Sequence, residues 1–169
     1  MSDRHPVAKR PVSALLTGPY GHPFHPVLVT IPIGAWVASF VFDIGSRAAP
    51  DASYLVRSST WLIVIGIVGA LAAASVGLLD FFTLPAGTPA FRTGLVHLTL
   101  NVAITLAYAG NALWRRGEDN QVAIGPIVLS AVSLIALTIS GYLGGKLAFR
   151  YGVRVVEEQD QAEGFQPRS

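Results

Sequence analysis

Four long apolar stretches restrict the fold of this chain more than any other feature. They cover residues 26–44, 59–79, 94–114 and 122–147. A helix needs about 20 mainly apolar residues to cross a bilayer, and each stretch has roughly that length. Because the connections are short, consecutive helices are expected to be antiparallel neighbours. The sequence therefore predicts an all-α integral membrane protein, an antiparallel four-helix bundle with both termini on the same side.

The composition supports a membrane protein and excludes several kinds of site. The chain is 51% hydrophobic and only 13% charged, whereas about a quarter of the residues in a soluble domain are charged. It has no cysteine, which excludes disulfides, thiolate metal sites and c-type haem attachment. Its basic residues are scattered, so no nucleic-acid partner is predicted. The predicted partners are the lipid bilayer and either further copies of the chain or another membrane subunit.

The distribution of basic residues predicts the orientation. Polar tails, 1–20 and 156–169, are expected to flank a transmembrane domain of residues 21–155. The first apolar run begins late and is longer than the core of a signal peptide, so it is interpreted as a retained helix. Most of the 12 Lys and Arg residues lie on the side of the termini, which predicts that both termini are cytoplasmic. The exceptions are Arg47, Arg57, Arg115 and Arg116.

The histidines are the best indication of a functional site. Residues 21–26 read Gly-His-Pro-Phe-His-Pro and place His22 and His25 just before the first apolar stretch. His97 lies about one turn inside the third stretch, with Asn101 on the same helix face. Ionisable groups in membranes are rare and usually functional. Because consecutive helices run in opposite directions, these histidines and Asn101 are expected at one leaflet, together with Asp80. Because a residue before proline disfavours helix, His22 and His25 are expected on an extended lead-in.

The ligand of this site is left open by the sequence. His22, His25 and His97 with a carboxylate suit a transition metal. Two imidazoles from facing helices, His25 and His97 first among them, suit the axial positions of haem b. In either case His22 is an alternate ligand, and Asp80 and Asn101 orient imidazoles through hydrogen bonds.

Electron transfer or redox sensing is the function expected with such a ligand. A proton relay is a further interpretation. The alternative is a non-catalytic membrane subunit or scaffold whose histidines are structural. No catalytic residue is assigned, because the sequence has no metalloprotease HExxH, nucleophile elbow or Walker loop.

Small residues predict where helices approach each other closely. They recur at four-residue spacing, which lets backbones pack tightly in lipid. The predicted packing residues are Gly66, Gly69, Ala70, Ala73 and Gly77 in the second stretch, and Gly141 and Gly145 in the fourth. Pro32 is expected to bend the first helix and free a carbonyl near Leu28. Asp43, at the other end of that helix, is expected to be a solvated helix terminus.

Taken together, these motifs resemble one family of bacterial membrane proteins. The motifs are Gly21-His-Pro-Phe-His-Pro-Val-Leu-Val-Thr-Ile-Pro-Ile-Gly34, Gly77-Leu-Leu-Asp-Phe-Phe-Thr-Leu-Pro85, His97 with Asn101, and Gly141-Tyr-Leu-Gly-Gly-Lys-Leu-Ala-Phe-Arg-Tyr-Gly-Val153. In this order, over roughly 18–156, the chain looks like the domain-of-unknown-function 2231 family. The resemblance implies a four-helix protein of the bacterial inner membrane.

The resemblance implies little about activity. Some members look similar to small haem-binding membrane cytochromes, which favours haem slightly over a metal ion. This chain has Lys146 and Tyr151 where relatives are expected to have an acidic residue and often a histidine. The fourth helix is therefore not assigned a ligand.

Overall fold

The computed structural model describes residues 21–155 together with 157, 161, 162 and 165. The predicted tail 1–20, and 156–169 apart from those four residues, lie outside the described part of the chain. His5 and the basic residues of the N-terminal tail lie there too.

The described chain is all-helical, as predicted. Its helices are α1 (His25–Leu28), α2 (Thr30–Ser46), α3 (Ser53–Phe81), α4 (Pro89–Trp114) and α5 (Ile124–Gly145), and a π-helix, Lys146–Arg150, continues α5. By length and composition, four spans can cross a membrane: His25–Ser46, Ser53–Phe81, Pro89–Trp114 and Ile124–Arg150. Each of α2 to α5 packs on its neighbour in sequence, and α5 returns to α2, which closes a four-helix bundle.

Two helices begin earlier than the hydropathy pattern indicates. Helix α3 starts at Ser53 rather than near Ser59, and α4 starts at Pro89 rather than near Gly94. At α4 the cause is local: the Thr88 hydroxyl accepts a hydrogen bond from the Phe91 N–H at 3.1 Å, and proline follows at the first helical position. The added segments, 53–58 and 89–93, each contain an arginine and so lie outside the apolar stretches.

The first span is divided into α1 and α2 at Val29, whose φ of −66° and ψ of −17° remain helical. Pro32 has no N–H to donate to the Leu28 carbonyl one turn earlier. The Thr30 hydroxyl donates to the Val27 carbonyl at 2.7 Å. The extended geometry expected at His25 is wrong, because His25 is the first residue of α1. Pro26, next in the first turn, needs no N–H partner there and so permits the helix.

Every span turns one stripe of residues, spaced alternately three and four apart, toward the centre of the bundle. We call these the inward stripes, and all their members are buried or half-buried. They are Pro32, Trp36, Ser39, Asp43 and Ser46; Val56, Ser59, Ile63, Gly66, Ala70, Ala73 and Gly77; Gly94, His97, Asn101, Ile104, Tyr108, Asn111 and Arg115; and Pro126, Ser130, Ser133, Leu137, Ser140 and Gly144. Such spacing is typical of left-handed helix packing.

The apolar core lies in the middle of these stripes. Trp36, Ile63, Ile104 and Tyr108 form it, with Trp36 and Tyr108 stacked at 4.2 Å between ring centroids. The Trp36 indole lies directly on Gly66, where a Cβ atom would come within 2.2 Å of it. The core separates two polar regions at opposite ends of the bundle.

Candidate functional site

One polar region, which we call the histidine end, joins the four spans in two pairs through two imidazoles. His25 on α1 contacts the Ala73 carbonyl of α3 through Nδ1 at 2.9 Å. His97 on α4 contacts the Ser140 carbonyl of α5 through Nδ1, also at 2.9 Å. The two rings lie 6.5 Å apart between centroids, nearly perpendicular at 79°. The fold thus brings together the two histidines that the sequence favours as direct ligands.

The carbonyl partners fix the tautomer of both rings. A carbonyl oxygen can only accept, so each Nδ1 carries the proton and donates it. In a neutral ring, Nε2 then keeps its lone pair. Ligand histidines in metal and haem proteins show this division, in which the second nitrogen donates to a carbonyl or carboxylate. Within the described residues, His25 Nε2 has no hydrogen-bond partner.

Glycines of the inward stripes form the seats of both rings. A Cβ atom at Gly77 would lie 2.8 Å from Cε1 and Nδ1 of His25, and one at Gly144 would lie 3.3 Å from Cε1 of His97. Of the predicted packing residues in α3, Gly66 and Gly69 also contact the first span closely, against Trp36 and Ile31. Ala73 is buried and Ala70 packs against the core.

Unlike the predicted packing residues of α3, Gly141 and Gly145 do not lie against another span within the described chain. A Cβ atom at Gly141 would meet nothing within 4 Å, and one at Gly145 would meet only Phe149 of the same segment, at 3.9 Å. Gly144 lies on the inward stripe of α5, whereas Gly141 is one residue beyond Ser140 and faces outward.

Asn101 and Ser140 hold His97 in place. Asn101 Nδ2 lies 2.7 Å from the His97 carbonyl, 2.6 Å from Ser140 Oγ and 3.3 Å from His97 Nε2. Ser140 Oγ is also 3.0 Å from His97 Nδ1. The longest of these Asn101 contacts is the one to Nε2. A ligand on Nε2 would displace that contact and leave the two shorter ones intact.

Asp80 does not hydrogen-bond an imidazole, although the sequence suggests that role. Its Oδ1 lies 3.0 Å from Arg154 Nε, and both side chains are largely buried. The Arg154 N–H does not point at this oxygen, so the contact is an ion pair rather than an aligned hydrogen bond. Arg154 adopts a φ of 60°, which is unusual for a residue with a side chain. The segment after α5 thereby folds back to the end of α3.

The predicted three-histidine metal site is not assembled. Among the residues that the structure describes, no group of three or more His, Asp or Glu side chains could hold a metal ion. His22 is half-buried in the segment before α1. The donor set that is assembled consists of His25 and His97.

The end of the fourth span also departs from regular helix beside His97. The π-helix Lys146–Arg150 begins directly after Gly144 and Gly145. Such segments are rare and are frequently found at functional sites. The Lys146 ammonium lies 5.7 Å from the centroid of the Tyr151 ring.

The other polar region, which we call the arginine end, is a buried charge network. The Arg115 guanidinium forms two parallel hydrogen bonds with the Asp43 carboxylate, at 2.8 and 2.9 Å. It also donates to Ser59 Oγ at 2.8 Å and to Asn111 Oδ1 at 2.7 Å. Asn111 in turn donates to Ser130 Oγ at 2.9 Å. The network therefore connects all four spans.

The expectation that Asp43 is a solvated helix terminus is wrong. Asp43 is 0% exposed and Arg115 is 3% exposed. The inward stripe of α2 carries Trp36 and Ser39 ahead of Asp43, which places the carboxylate inside the bundle. Arg115, which closes α4, supplies the opposite charge that a buried carboxylate requires.

A signal for these missed residues is present in the sequence. In the third span, residues at alternating spacings of four and three are His97, Asn101, Ile104, Tyr108, Asn111 and Arg115. All but Ile104 carry a polar group, yet the residues around them are apolar. In a membrane helix, a polar stripe of this kind indicates the face that is buried in protein.

Comparison with known proteins gave one match. The family model described as "Predicted membrane protein (DUF2231)" matches residues 21–157, which include all four spans. No curated protein and no solved structure matches the chain.

Proposed function

The chain belongs to the DUF2231 family of membrane proteins, and on that premise we propose that it holds a redox cofactor between His25 and His97. The observation that carries the proposal is the pair of imidazoles at 6.5 Å, each with Nδ1 committed to a carbonyl. The cofactor serves electron transfer or redox sensing at the membrane.

Haem b suits this donor set better than a bare metal ion. A metal held by protein alone commonly needs three or four side-chain ligands, and the described residues offer no such group. A haem iron takes four ligands from its macrocycle and needs only two axial imidazoles. With ring centroids 6.5 Å apart, His25 and His97 are the two residues that would hold such a group between them.

The surrounding residues have defined tasks in this proposal. The carbonyls of Ala73 and Ser140 keep both imidazoles in the tautomer that ligates through Nε2. Gly77 and Gly144 admit the rings between the helices. When bound, the haem supplies one-electron chemistry, and the protein sets its potential through the imidazoles and their hydrogen bonds.

The test is the visible absorption spectrum of the purified protein in mild detergent, with metal analysis of the same sample. Protein from cells supplied with haem precursor is expected to show a Soret band, which the His97→Ala variant loses. If the protein instead contains a near-stoichiometric transition metal and no haem, and His97→Ala loses that metal, the cofactor is a metal ion rather than haem. Protein with neither would refute the proposal.

A second function, that of a non-catalytic membrane subunit, is favoured by the same two hydrogen bonds. They join α1 to α3 and α4 to α5, which is what structural histidines do. On this hypothesis His97→Ala lowers stability or changes the co-purifying partners and leaves no chromophore to lose. The absorption spectrum therefore separates the two functions.

The Lys and Arg distribution supports the proposed topology, with both termini in the cytoplasm of a bacterial cell. The histidine end would then face the cytoplasmic leaflet and the arginine end the outer one.

A further inference from the structure

The arginine end carries an open cleft that the cofactor proposal does not use. It lies between the first turns of α3 and the end of α4, and its volume is about 580 Å³. That size is within the usual range for a small-molecule site. Arg115, held by Asp43, lies at its buried side. The charged residues that line the rest of the cleft are Arg57, Arg116, Glu118 and Asp119.

Two of these residues are uncommitted cations. Arg57 and Arg116 are exposed, and neither side chain has a hydrogen bond or ion pair with any other residue that the structure describes. Guanidinium groups bind phosphate oxygens well, because their N–H donors match the spacing of two such oxygens. The cleft therefore offers a phosphate two guanidinium groups that are unpaired within the described chain.

Two carboxylates, those of Glu118 and Asp119, also line the cleft. A purely anionic ligand would leave them without a positive partner. Glu118 Oε1 accepts a hydrogen bond from the Ala123 N–H at 3.0 Å. Its Oε2 is buried and accepts no hydrogen bond within the described chain. Asp119 lines the same cleft and is exposed. Carboxylates beside guanidinium groups favour a ligand that carries both a phosphate and a hydrogen-bond-donating cation.

The position of the cleft indicates that its ligand comes from the bilayer. Trp61 lines the cleft and is 64% exposed, and Trp114 at the end of α4 is 61% exposed. Tryptophan is enriched where membrane proteins meet the headgroup layer. Val64 continues the lining one turn deeper along α3, toward the acyl region.

We propose that the cleft binds a phospholipid with a phosphoethanolamine headgroup. The phosphate lies between Arg57 and Arg116, and the primary ammonium, with three N–H donors, lies at Glu118 and Asp119. A choline headgroup has no N–H to donate. A phosphoglycerol headgroup has no cation for the carboxylates.

Lipid retention by the full chain tests this proposal. The protein is exchanged into nanodiscs with equal amounts of phosphatidylethanolamine, phosphatidylcholine and phosphatidylglycerol, and retained lipid is measured by native mass spectrometry. Phosphatidylethanolamine is expected to be retained preferentially. The Arg57→Gln/Arg116→Gln variant should lose this preference about tenfold, as expected when one or more charge-assisted hydrogen bonds are lost. Glu118→Gln should lose the discrimination against phosphatidylglycerol.

The controls make each outcome decisive. Arg92→Gln changes an exposed arginine at the opposite end of the bundle and should retain the full preference. Soluble glycerophosphoethanolamine should not displace the lipid, and displacement by it would overturn the bilayer source. Equal retention of the three lipids, or a preference for phosphatidylglycerol that survives Glu118→Gln, would overturn the proposal. None of these outcomes depends on the cofactor at the histidine end.

Discussion

At the arginine end, Asp43 and Arg115 satisfy each other, and Ser59 and Asn111 complete the network. At the histidine end, each imidazole donates its Nδ1–H to a carbonyl, His25 Nε2 has no hydrogen-bond partner among the described residues, and His97 Nε2 has only the 3.3 Å contact with Asn101. The first region is almost fully enclosed, whereas His25 and His97 are only half-buried. Both regions occupy the same inward stripes, separated by the Trp36–Tyr108 stack.

This difference separates a polar network that stabilises the bundle from polar groups that can ligate a cofactor. In a closed network of charges in a low-dielectric interior, the charged groups already have partners. Removing one partner leaves the opposite charge buried and uncompensated. A ring with an uncommitted acceptor can ligate. Judged by burial alone, the arginine end would be the stronger candidate for a functional site. Judged by which polar atoms remain without a hydrogen-bond partner, the histidine end is the stronger candidate.

The largest effect on stability is expected from Asp43→Asn. Removing the charge of one partner leaves Arg115 uncompensated in the bundle, which costs about 3–5 kcal/mol. Thermal unfolding in detergent should show a large fall in Tm, and cofactor content per folded protein should stay unchanged. If the variant unfolds normally but loses its chromophore, the two regions are not separate in function.

A smaller loss of stability, but a complete loss of the site, is expected from Gly77→Ala. The new methyl group would lie 2.8 Å from the His25 ring and must displace it. Overpacking of this kind costs about 1–3 kcal/mol. Cofactor content, measured by absorption, should be lost, while Tm should fall less than in Asp43→Asn. Gly141→Ala is the matched control, because its methyl group meets nothing within 4 Å. Equal behaviour of the two variants would contradict the seat assigned to Gly77.

The smallest effect is expected from Tyr108→Phe. The Tyr108 hydroxyl is buried and has no hydrogen-bond partner within the described residues. Removing an unsatisfied group while keeping the ring and its stack on Trp36 should change stability by less than about 0.5 kcal/mol, or increase it. Chemical denaturation measures this directly. A loss comparable to that of Asp43→Asn would place the hydroxyl inside the charge network.

The fold could be predicted from the sequence because membrane spans depend on length and apolarity, which are local properties. The pairing of His97 with Asn101 followed from helical spacing, and the meeting of His25 and His97 followed from alternating topology. Each of these rests on a rule that acts within one helix or on the order of helices.

The missed contacts depend on how helices are rotated against each other. Asp43 meets Arg115, and Ser140 meets His97, only because the inward stripes face the same axis. The same rotation makes Gly144 rather than Gly141 the seat of a ring. Helix rotation is set by the packing of all four stripes together, and each stretch read alone does not fix it.

The visible absorption spectrum of the His25→Ala variant, compared with Asp43→Asn at equal amounts of folded protein, tests the central claim most directly. The account predicts that His25→Ala loses the haem absorption, or the metal that replaces haem, while remaining folded. It predicts that Asp43→Asn keeps the wild-type spectrum despite its lower Tm. A wild-type spectrum in His25→Ala, or a bleached one in folded Asp43→Asn, would contradict the division between a cofactor-binding histidine end and a structural Asp43–Arg115 network.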